Sequence, residues 1–387
     1  MSDSTDSSTP SGPIGRLLDM PNMTSFKMPG LGHPEGGILI VGAGSLATAT
    51  VLALAQVHAS SGTVHILARD SQRVDELCAI GTTVSVARGF PRRFLPAEWR
   101  NGSPKVAIGS SLHTIRPHVI LILAGQHTPG TLWGARSKWS QLIADAGLGV
   151  TLPLQLALGL LVAEAAATES PDAVLINACF PDAANALLAW TTPNLVLGVG
   201  NVMTVEASVR SSLGLPTDSS LQLIGTHAGL QSDRAPIALW VNGERRELDA
   251  LSLTHRGIAP QEQRPIVAAS LVSVVSAVYG QHLSISMPGP MGMLGGYPVR
   301  IADGTVELQL PDGADLSFSV ELNSIGLAAD GIKSVHNDKV VFTPHLSEAL
   351  AAEPETAPIA EGFATSELEH AISAVVSLRS RLRSLAV

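Results

Sequence analysis

The 387-residue chain has few of the residues that mark several large classes of protein. It contains only two cysteines, Cys78 and Cys179, too few and too far apart to predict a disulfide framework or a thiolate metal site. The histidines show no metal-ligand spacing, so we expect no metal. A reducing, cytoplasmic location fits this composition best.

Charged and aromatic residues are also scarce, at 15% and 4% of the chain. The net charge is −9 and the 24 lysines and arginines are scattered, which argues against a nucleic-acid partner. The most apolar run, 150–167, falls short of the roughly 20 residues that a membrane span needs. It is expected to form a buried helix, and no membrane association is expected. The remaining composition, rich in Ala, Val, Leu and Gly, is typical of tightly packed α/β layers.

The order of apolar runs predicts the domain organisation. Residues 1–33 are rich in Ser, Thr, Asp, Pro and Gly and predict a flexible N-terminal arm. Over 34–200, strand-like runs at 36–41, 63–67, 119–123 and 173–176 alternate with helical stretches, which predicts a Rossmann domain with a doubly wound parallel sheet. Over 201–387, strand-like runs between turns predict an α+β substrate and oligomerisation domain with antiparallel strands.

A glycine turn follows the first predicted strand and opens a helix. It reads Gly42-Ala43-Gly44, and the helix begins with Ser45 and Leu46. The first glycine permits a tight turn, and the second lets the backbone approach a pyrophosphate, whose charge is stabilised by the free N–H groups of the helix. This context predicts a dinucleotide site, and the alternative is an ordinary strand-to-helix turn made of small residues.

The end of the second predicted strand indicates which dinucleotide binds. An acidic residue there would accept hydrogen bonds from a ribose 2′-hydroxyl group. Here Ala68 and Arg69 come first and the acid is displaced to Asp70, while Arg69, Ser71 and Arg73 can face a 2′-phosphate, which suits the arginine fork. NADP is therefore predicted, with NAD as the alternative. The other interpretation of these residues is a solvated loop and helix start.

The motif order over 37–310 resembles that of the lactate and malate dehydrogenase superfamily, in which a dinucleotide domain precedes a substrate domain. After the glycine turn, Ala124 and Gly125 with the following 126–130 are similar to the end of a strand and the mobile substrate loop. Asn177 is similar to the asparagine that contacts the nicotinamide ribose. The segments 198–202 and 225–229 resemble the glycine-flanked histidine loop, with its histidine at His227.

The resemblance implies that His227 is the proton donor and acceptor, because hydride transfer to a carbonyl must be matched by proton transfer at oxygen. The family orients this histidine with an aspartate and clamps a substrate carboxylate with an arginine one turn later. Thr204 and Ala207 hold those two places here. Glu206 could take the orienting role and Arg210 the clamping role if the helix is rotated or shifted.

The predicted mobile loop departs from the family as well, because Trp133 stands where the family has an arginine and Arg136 lies farther along. An ordinary 2-oxo acid would lose strong charge-assisted binding without these arginines. We therefore expect an NAD(P)-dependent oxidoreductase acting on a carbonyl, alcohol or imine of a small or modified amino-acid-like substrate. The resemblance also implies a homodimer. The alternatives are a non-catalytic or regulatory dinucleotide-binding protein and a different reaction on the same scaffold.

Two further side chains follow the carboxyl ends of predicted strands, where ligands gather. His127 and Asp182 could enter the cleft, although a solvated loop position is the favoured interpretation of each. Cys179 has no activating partner in the sequence and is expected to be a small core residue.

Overall fold

The computed structural model describes residues 25–28, 36–57, 62–99, 102–127, 137–216, 218–231, 234–247 and 260–385. The strands are β1 (Ser25–Lys27), β2 (Ile38–Val41), β3 (Thr63–Leu67), β4 (Arg93–Pro96), β5 (Val119–Ile122), β6 (Val174–Asn177), β7 (Val196–Gly198), β8 (Leu221–Ile224), β9 (Ala238–Val241), β10 (Glu244–Arg246), β11 (Leu283–Pro288), β12 (Gly296–Ala302), β13 (Thr305–Leu308), β14 (Ile332–His336), β15 (Lys339–Phe342) and β16 (Gly362–Ala364). The α-helices are α1 (Ser45–Leu54), α2 (Ser71–Ala87), α3 (Pro104–Ile115), α4 (Lys138–Ala146), α5 (Leu152–Glu169), α6 (Pro181–Thr191), α7 (Asn201–Ser212), α8 (His227–Gln231), α9 (Pro260–Val278), α10 (Leu316–Ala329), α11 (Pro344–Ala351) and α12 (Leu368–Arg383).

Six strands form one parallel sheet in the order β4-β3-β2-β5-β6-β7. The central strands β2, β5 and β6 are buried along their whole length, as expected for strands covered by helices on both faces. The direction of strand addition reverses between β2 and β5, and ligands bind at the carboxyl ends of strands beside such a reversal. The predicted doubly wound Rossmann sheet is confirmed.

Three small antiparallel sheets complete the fold, with orders β1-β13-β12-β11, β10-β9-β8 and β14-β15-β16. The predicted antiparallel strands are confirmed, since β11, β12 and β13 pair in sequence. The sheet of β14, β15 and β16 was not predicted. Its first strand is mostly exposed and has no apolar alternation that would reveal it in the sequence.

The N-terminal segment contributes a strand. β1 pairs antiparallel with β13, with Phe26 opposite Val306. Phe26 and Met28 pack on the same hydrophobic cluster as β2. The flexible arm predicted for 1–33 therefore does not extend over Ser25–Lys27, and the rest of that range lies outside the described residues, apart from Met28. The predicted domain boundaries stay predictions.

Helices from the second half of the chain return to the parallel sheet. The C-terminal helix α12 packs on α5 and α4, in the hydrophobic cluster that covers one face of the sheet. The long helix α9 packs along α1 in the cluster that covers the other face. Through α9, the second half of the chain therefore lies beside the glycine turn that precedes α1.

The apolar run before β6 is longer than the sequence suggested. A turn of 3₁₀-helix runs into α5, and together they form the 22-residue helical segment Leu148–Glu169, which by length and composition alone could cross a membrane. The length expected from the sequence is therefore wrong, while the expected buried helix is confirmed. In its most apolar window 72% of the residues are buried inside the protein, as in the core helix of a globular protein.

Candidate active site

The glycine turn packs closely on the neighbouring strand end. Gly42 has φ +130°, and a Cβ atom on it would stand 2.9 Å from Cβ of Ala124. Its N–H donates to the carbonyl oxygen of Leu67 at 2.9 Å. A side chain at Gly42 would therefore be strained in two ways, so glycine is required here.

The residue before α1 leaves the end of this helix open. Gly44 has φ −75° and gives α1 no side-chain cap, and a Cβ atom on it would meet no atom of the described structure within 4 Å. The open helix N-terminus combines free N–H groups with the positive end of the helix dipole. The residues present therefore fit the diphosphate of a dinucleotide, as the sequence predicted.

The residues after β3 occupy the position that contacts the adenosine ribose in such folds. Arg69 and Ser71 are exposed and Ala68 is half-buried. Asp70 caps α2, because its carboxylate accepts the N–H of Arg73 at 3.0 Å. The Arg73 guanidinium donates to the Thr48 hydroxyl on α1 at 2.8 Å, which ties the starts of the two helices together.

Asn177, predicted to contact the nicotinamide ribose, has its side chain bonded within the protein. Its amide nitrogen donates to Oδ1 of Asn185 at 2.8 Å and to the Cys179 carbonyl at 3.2 Å, and its Oδ1 accepts the Cys179 N–H at 2.9 Å. This part of the prediction is corrected: the buried Asn177 amide fixes the loop after β6. Ala124 and Gly125, by contrast, line the cleft beside the glycine turn.

A histidine and an aspartate from distant parts of the chain meet at the cleft. Nδ1 of His227, the first residue of α8, lies 3.3 Å from both carboxylate oxygens of Asp330, which follows α10. The His227 side chain is 27% exposed and that of Asp330 is 3% exposed. A carboxylate can only accept, so Nδ1 is the donor. Nε2 of His227 makes no hydrogen bond with any described residue, which leaves it available to a ligand.

Both carboxylates next to His227 act on its proton affinity. Burial alone would lower the pKa of His227, but the charge and hydrogen bond of Asp330, with the charge of Asp182, outweigh it and hold the pKa above its usual value. Oδ1 of Asp182 accepts the backbone N–H of His227 at 3.3 Å. Burial and the nearby Asp330 raise the pKa of Asp182 to about 6, against the opposing charge of His227. Such perturbed groups in a cleft mark candidate catalytic sites.

The structure places Glu206 and Arg210 away from His227. One carboxylate oxygen of Glu206 accepts the Ser286 N–H at 2.6 Å and the other accepts from Arg210 at 3.4 Å. Arg210 also donates to the Ser219 carbonyl at 2.9 Å. The proposed orienting and clamping roles are thus corrected, because Asp330 holds His227 and Arg210 holds its own helix to the next loop. Arg136 lies outside the described residues.

Gly44 of the glycine turn and His227 line one cleft of about 360 Å³. His127 and Asp182 also line it and are only 6% and 3% exposed, so the favoured interpretation of solvated loop residues is wrong. Cys179 is buried, which raises the pKa of its thiol to about 12 and fits a core residue. Cleft-lining residues with bearing on function are Gly44, Ser45, Leu46, Ala124, Gly125, His127, Gln155, Asp182, His227 and Arg264.

Sequence reasoning missed two of these cleft residues, Gln155 and Arg264, and it also missed Asp330, the partner of His227. Asp330 is 103 residues from His227, and no spacing in the chain connects the two. Gln155 lies in an apolar helical run, and such a run predicts a buried core helix instead of a binding residue. Arg264 lies in the second turn of a long helix, and only the packing of α9 along α1 brings it to the cleft.

No protein-family model matches the chain, and no curated protein matches it by sequence. Among solved structures, the chain is similar to a lactate dehydrogenase from a Medee basin deep-sea metagenome library (TM-score 0.53, 13% identity, 76% of this chain and 96% of that chain covered). It is also similar to the malate dehydrogenase of Plasmodium falciparum in complex with NADH (TM-score 0.49, 13% identity, 76% and 94% covered). A third similar structure is the lactate dehydrogenase of Cryptosporidium parvum, complexed with lactic acid and the cofactor β-nicotinamide adenine dinucleotide (TM-score 0.47, 17% identity, 76% and 98% covered). The first likeness confirms, at the level of fold, the resemblance that the sequence motifs carry.

Proposed function

We propose that this protein is an oxidoreductase that transfers a hydride between a nicotinamide dinucleotide and a carbonyl, alcohol or imine of a small or modified amino-acid-like substrate. The observation that carries the proposal is that the open glycine turn and the His227–Asp330 pair adjoin one cleft. The fold similarity to a lactate dehydrogenase supports the same class of reaction.

His227 is the catalytic acid and base in this proposal. Reduction of a carbonyl produces an alkoxide that needs a proton, and oxidation of an alcohol releases one. Nε2 of His227 gives or takes this proton, because Nδ1 is held by Asp330. Asp330 is a positioning residue that fixes the ring and stabilises the imidazolium. The alternative, a non-catalytic or regulatory dinucleotide-binding protein, would be favoured by a histidine without an acidic partner, whereas Asp330 supports the catalytic role of His227.

The bound dinucleotide would supply or accept the hydride. Gly42, Gly44 and the N-terminus of α1 would hold its diphosphate, and Ala124 and Gly125 would lie on its nicotinamide side. Arg264 makes no hydrogen bond or ion pair with any described residue, and it lines the same cleft from a helix that packs along α1. We assign its guanidinium to the negative charge of the dinucleotide.

NADP is the dinucleotide that we propose, with NAD as the alternative. The Asp70 carboxylate, the acid nearest to the ribose position, is engaged as the cap of α2. Arg69 and Ser71 on either side of it are exposed. An arginine fork with a hydroxyl group beside it suits a 2′-phosphate better than a 2′-hydroxyl.

The reaction is tested by saturating the protein with NADPH, adding 2-oxo acids, 2-oxo amides and cyclic imines in turn, and following absorbance at the nicotinamide band. We expect absorbance to fall with at least one carbonyl or imine. If the protein binds the dinucleotide but none of these compounds oxidises it, the proposed function fails.

Gly44→Ala should weaken dinucleotide binding by about tenfold or more, because the new methyl group occupies the approach of the diphosphate. The fold should tolerate it, since φ is −75° and the methyl group meets no described atom within 4 Å. Calorimetric titration with NADPH measures the affinity, and thermal unfolding measures stability.

Gly62→Ala is the matched control for Gly44→Ala, because Gly62 also has open space around its Cβ position and no positive φ, but lies before β3 at the opposite end of the sheet. We expect unchanged affinity and stability. If Gly44→Ala and the unsubstituted protein bind the dinucleotide with equal affinity, the diphosphate does not bind at the N-terminus of α1.

Arg69→Asp should lower the ratio of NADPH to NADH affinity by about tenfold, because it replaces a cation beside the proposed 2′-phosphate with an anion. Titration of both dinucleotides into both proteins gives the ratio. Arg88→Asp, at the far end of α2, changes the net charge equally and should leave the ratio unchanged. A ratio that Arg69→Asp does not move would contradict the choice of NADP.

A further inference from the structure

Gln155 is a polar side chain on the cleft wall that the proposed chemistry does not use. It lies in the first turn of α5 and is 3% exposed, yet its amide makes no hydrogen bond with any residue in the described part of the chain. Its Oε1 lies 3.2 Å from the point where a Cβ atom of Gly125 would stand, which places the amide oxygen beside the end of β5. A buried amide without a partner is costly unless a ligand completes its hydrogen bonds.

His127 is a second such group in the same cleft. It is 6% exposed, and its Nε2 is fully buried without a hydrogen-bond partner. The ring packs edge-on against Trp139, with centroids 6.3 Å apart. Burial, with the charges of Arg379 and Arg383, lowers the pKa of His127 to about 4, so the ring is neutral at pH 7. A neutral imidazole and an amide offer donors and acceptors without charge.

The charges around His227 oppose an anionic substrate group. Asp330 and Asp182 both contact His227, through its ring and its backbone N–H. The one arginine among the described residues of the cleft, Arg264, lies on the helix that packs along α1, on the dinucleotide side. A carboxylate in the cleft would therefore have Asp330 and Asp182 on the side of His227. On the side of His127, the cations that act on the ring are Arg379, which donates to the Gln126 carbonyl, and the exposed Arg383.

We infer that Gln155 and the neutral His127 form a subsite for an uncharged amide group of the substrate, next to the carbon that is oxidised or reduced. The inference rests on the proposed function and names its substrate class as 2-hydroxy and 2-oxo amides rather than the corresponding acids. An amide has both a donor and an acceptor, which satisfy the two buried side chains at once. A carboxylate can only accept, so it would leave the Gln155 amide oxygen without a donor.

The test is equilibrium binding of matched pairs to the protein saturated with NADP⁺, measured by calorimetry at pH 8. Lactamide and lactate form one pair, and mandelamide and mandelate form the other, so that each pair differs only at the proposed group. We expect each amide to bind about tenfold or more tightly than its acid, because an unpaired buried polar group discriminates strongly between ligands that can and cannot complete it.

Gln155→Met keeps the length of the side chain and removes its hydrogen bonds, so it should remove most of the preference for the amide. Gln141→Met is the control, because Gln141 is an exposed glutamine on α4 whose amide donates to Asp145. It should leave the preference unchanged. The inference is overturned if the acids bind as tightly as the amides, if no member of either pair binds, or if Gln155→Met leaves the preference intact.

The binding experiment separates this inference from the proposed function. If the amides are preferred but no 2-oxo compound oxidises NADPH, the subsite stands and the oxidoreductase proposal fails. If NADPH is oxidised and 2-oxo acids are preferred in binding and turnover, the oxidoreductase proposal stands and the subsite falls.

Discussion

His227→Asn should lower turnover about 10³-fold, the middle of the range that general acid–base catalysis contributes. The amide of asparagine cannot supply or remove a proton at neutral pH, while it keeps a polar group of similar length at the start of α8. Dinucleotide affinity should be unchanged, because none of the residues assigned to the dinucleotide contacts His227. Steady-state kinetics with the substrate found by the absorbance assay, and calorimetry with NADPH, measure the two quantities.

His282→Asn is the matched control, since His282 also pairs with an aspartate, Asp303, at 3.2 Å but is 64% exposed and lies outside the cleft. We expect it to leave turnover unchanged. A loss of turnover in His227→Asn smaller than threefold would remove His227 from the chemistry, whatever its position in the cleft.

Asp330→Asn should reduce turnover about 10²-fold and shift the pH dependence to lower pH. Asp330 raises the pKa of His227 against the opposing effect of burial, so without this charge the pKa falls. Carbonyl reduction needs the protonated imidazole, so its rate is high below this pKa and declines as pH rises through it. In the variant that decline should begin at lower pH. Alcohol oxidation needs the neutral imidazole, so its rise with pH should shift in the same direction.

The pH profile distinguishes an orienting carboxylate from a merely structural one, because a loss of packing would lower the rate at every pH without moving the profile. Asp303→Asn removes the carboxylate of the exposed pair and is the control. If Asp330→Asn and the unsubstituted protein have the same pH profile, the charge of Asp330 does not act on the proton of His227.

The parallel sheet could be predicted from the sequence because its determinants are local. Each central strand is a short, continuous apolar run, and a strand buried on both faces needs that pattern. The glycine turn could also be predicted from the sequence, since Gly42 adopts φ +130° and Gly44 leaves the start of α1 without a side-chain cap. The histidine became a candidate only through the family resemblance of its loop.

The sequence could not predict how residues far apart along the chain pair with one another. Glu206 was placed beside His227 from its helix position, but the rotation of α7 turns its carboxylate to the Ser286 N–H. Asn177 was placed on a ribose, but the loop after β6 uses its whole amide. Both errors have the same origin, because a side chain's direction depends on what packs around its element.

The parallel sheet and the glycine turn before α1 thus follow from local patterns in the chain, and the family resemblance of one loop singled out His227 as the candidate for proton transfer. Tertiary structure alone decided that Asp330 orients that side chain and that Gln155 and His127 meet in the cleft. The physical reason is that apolar periodicity and turn chemistry act over a few neighbouring residues. The contacts of Asp330 with His227 instead span 103 residues and exist only once α10 has packed beside α8.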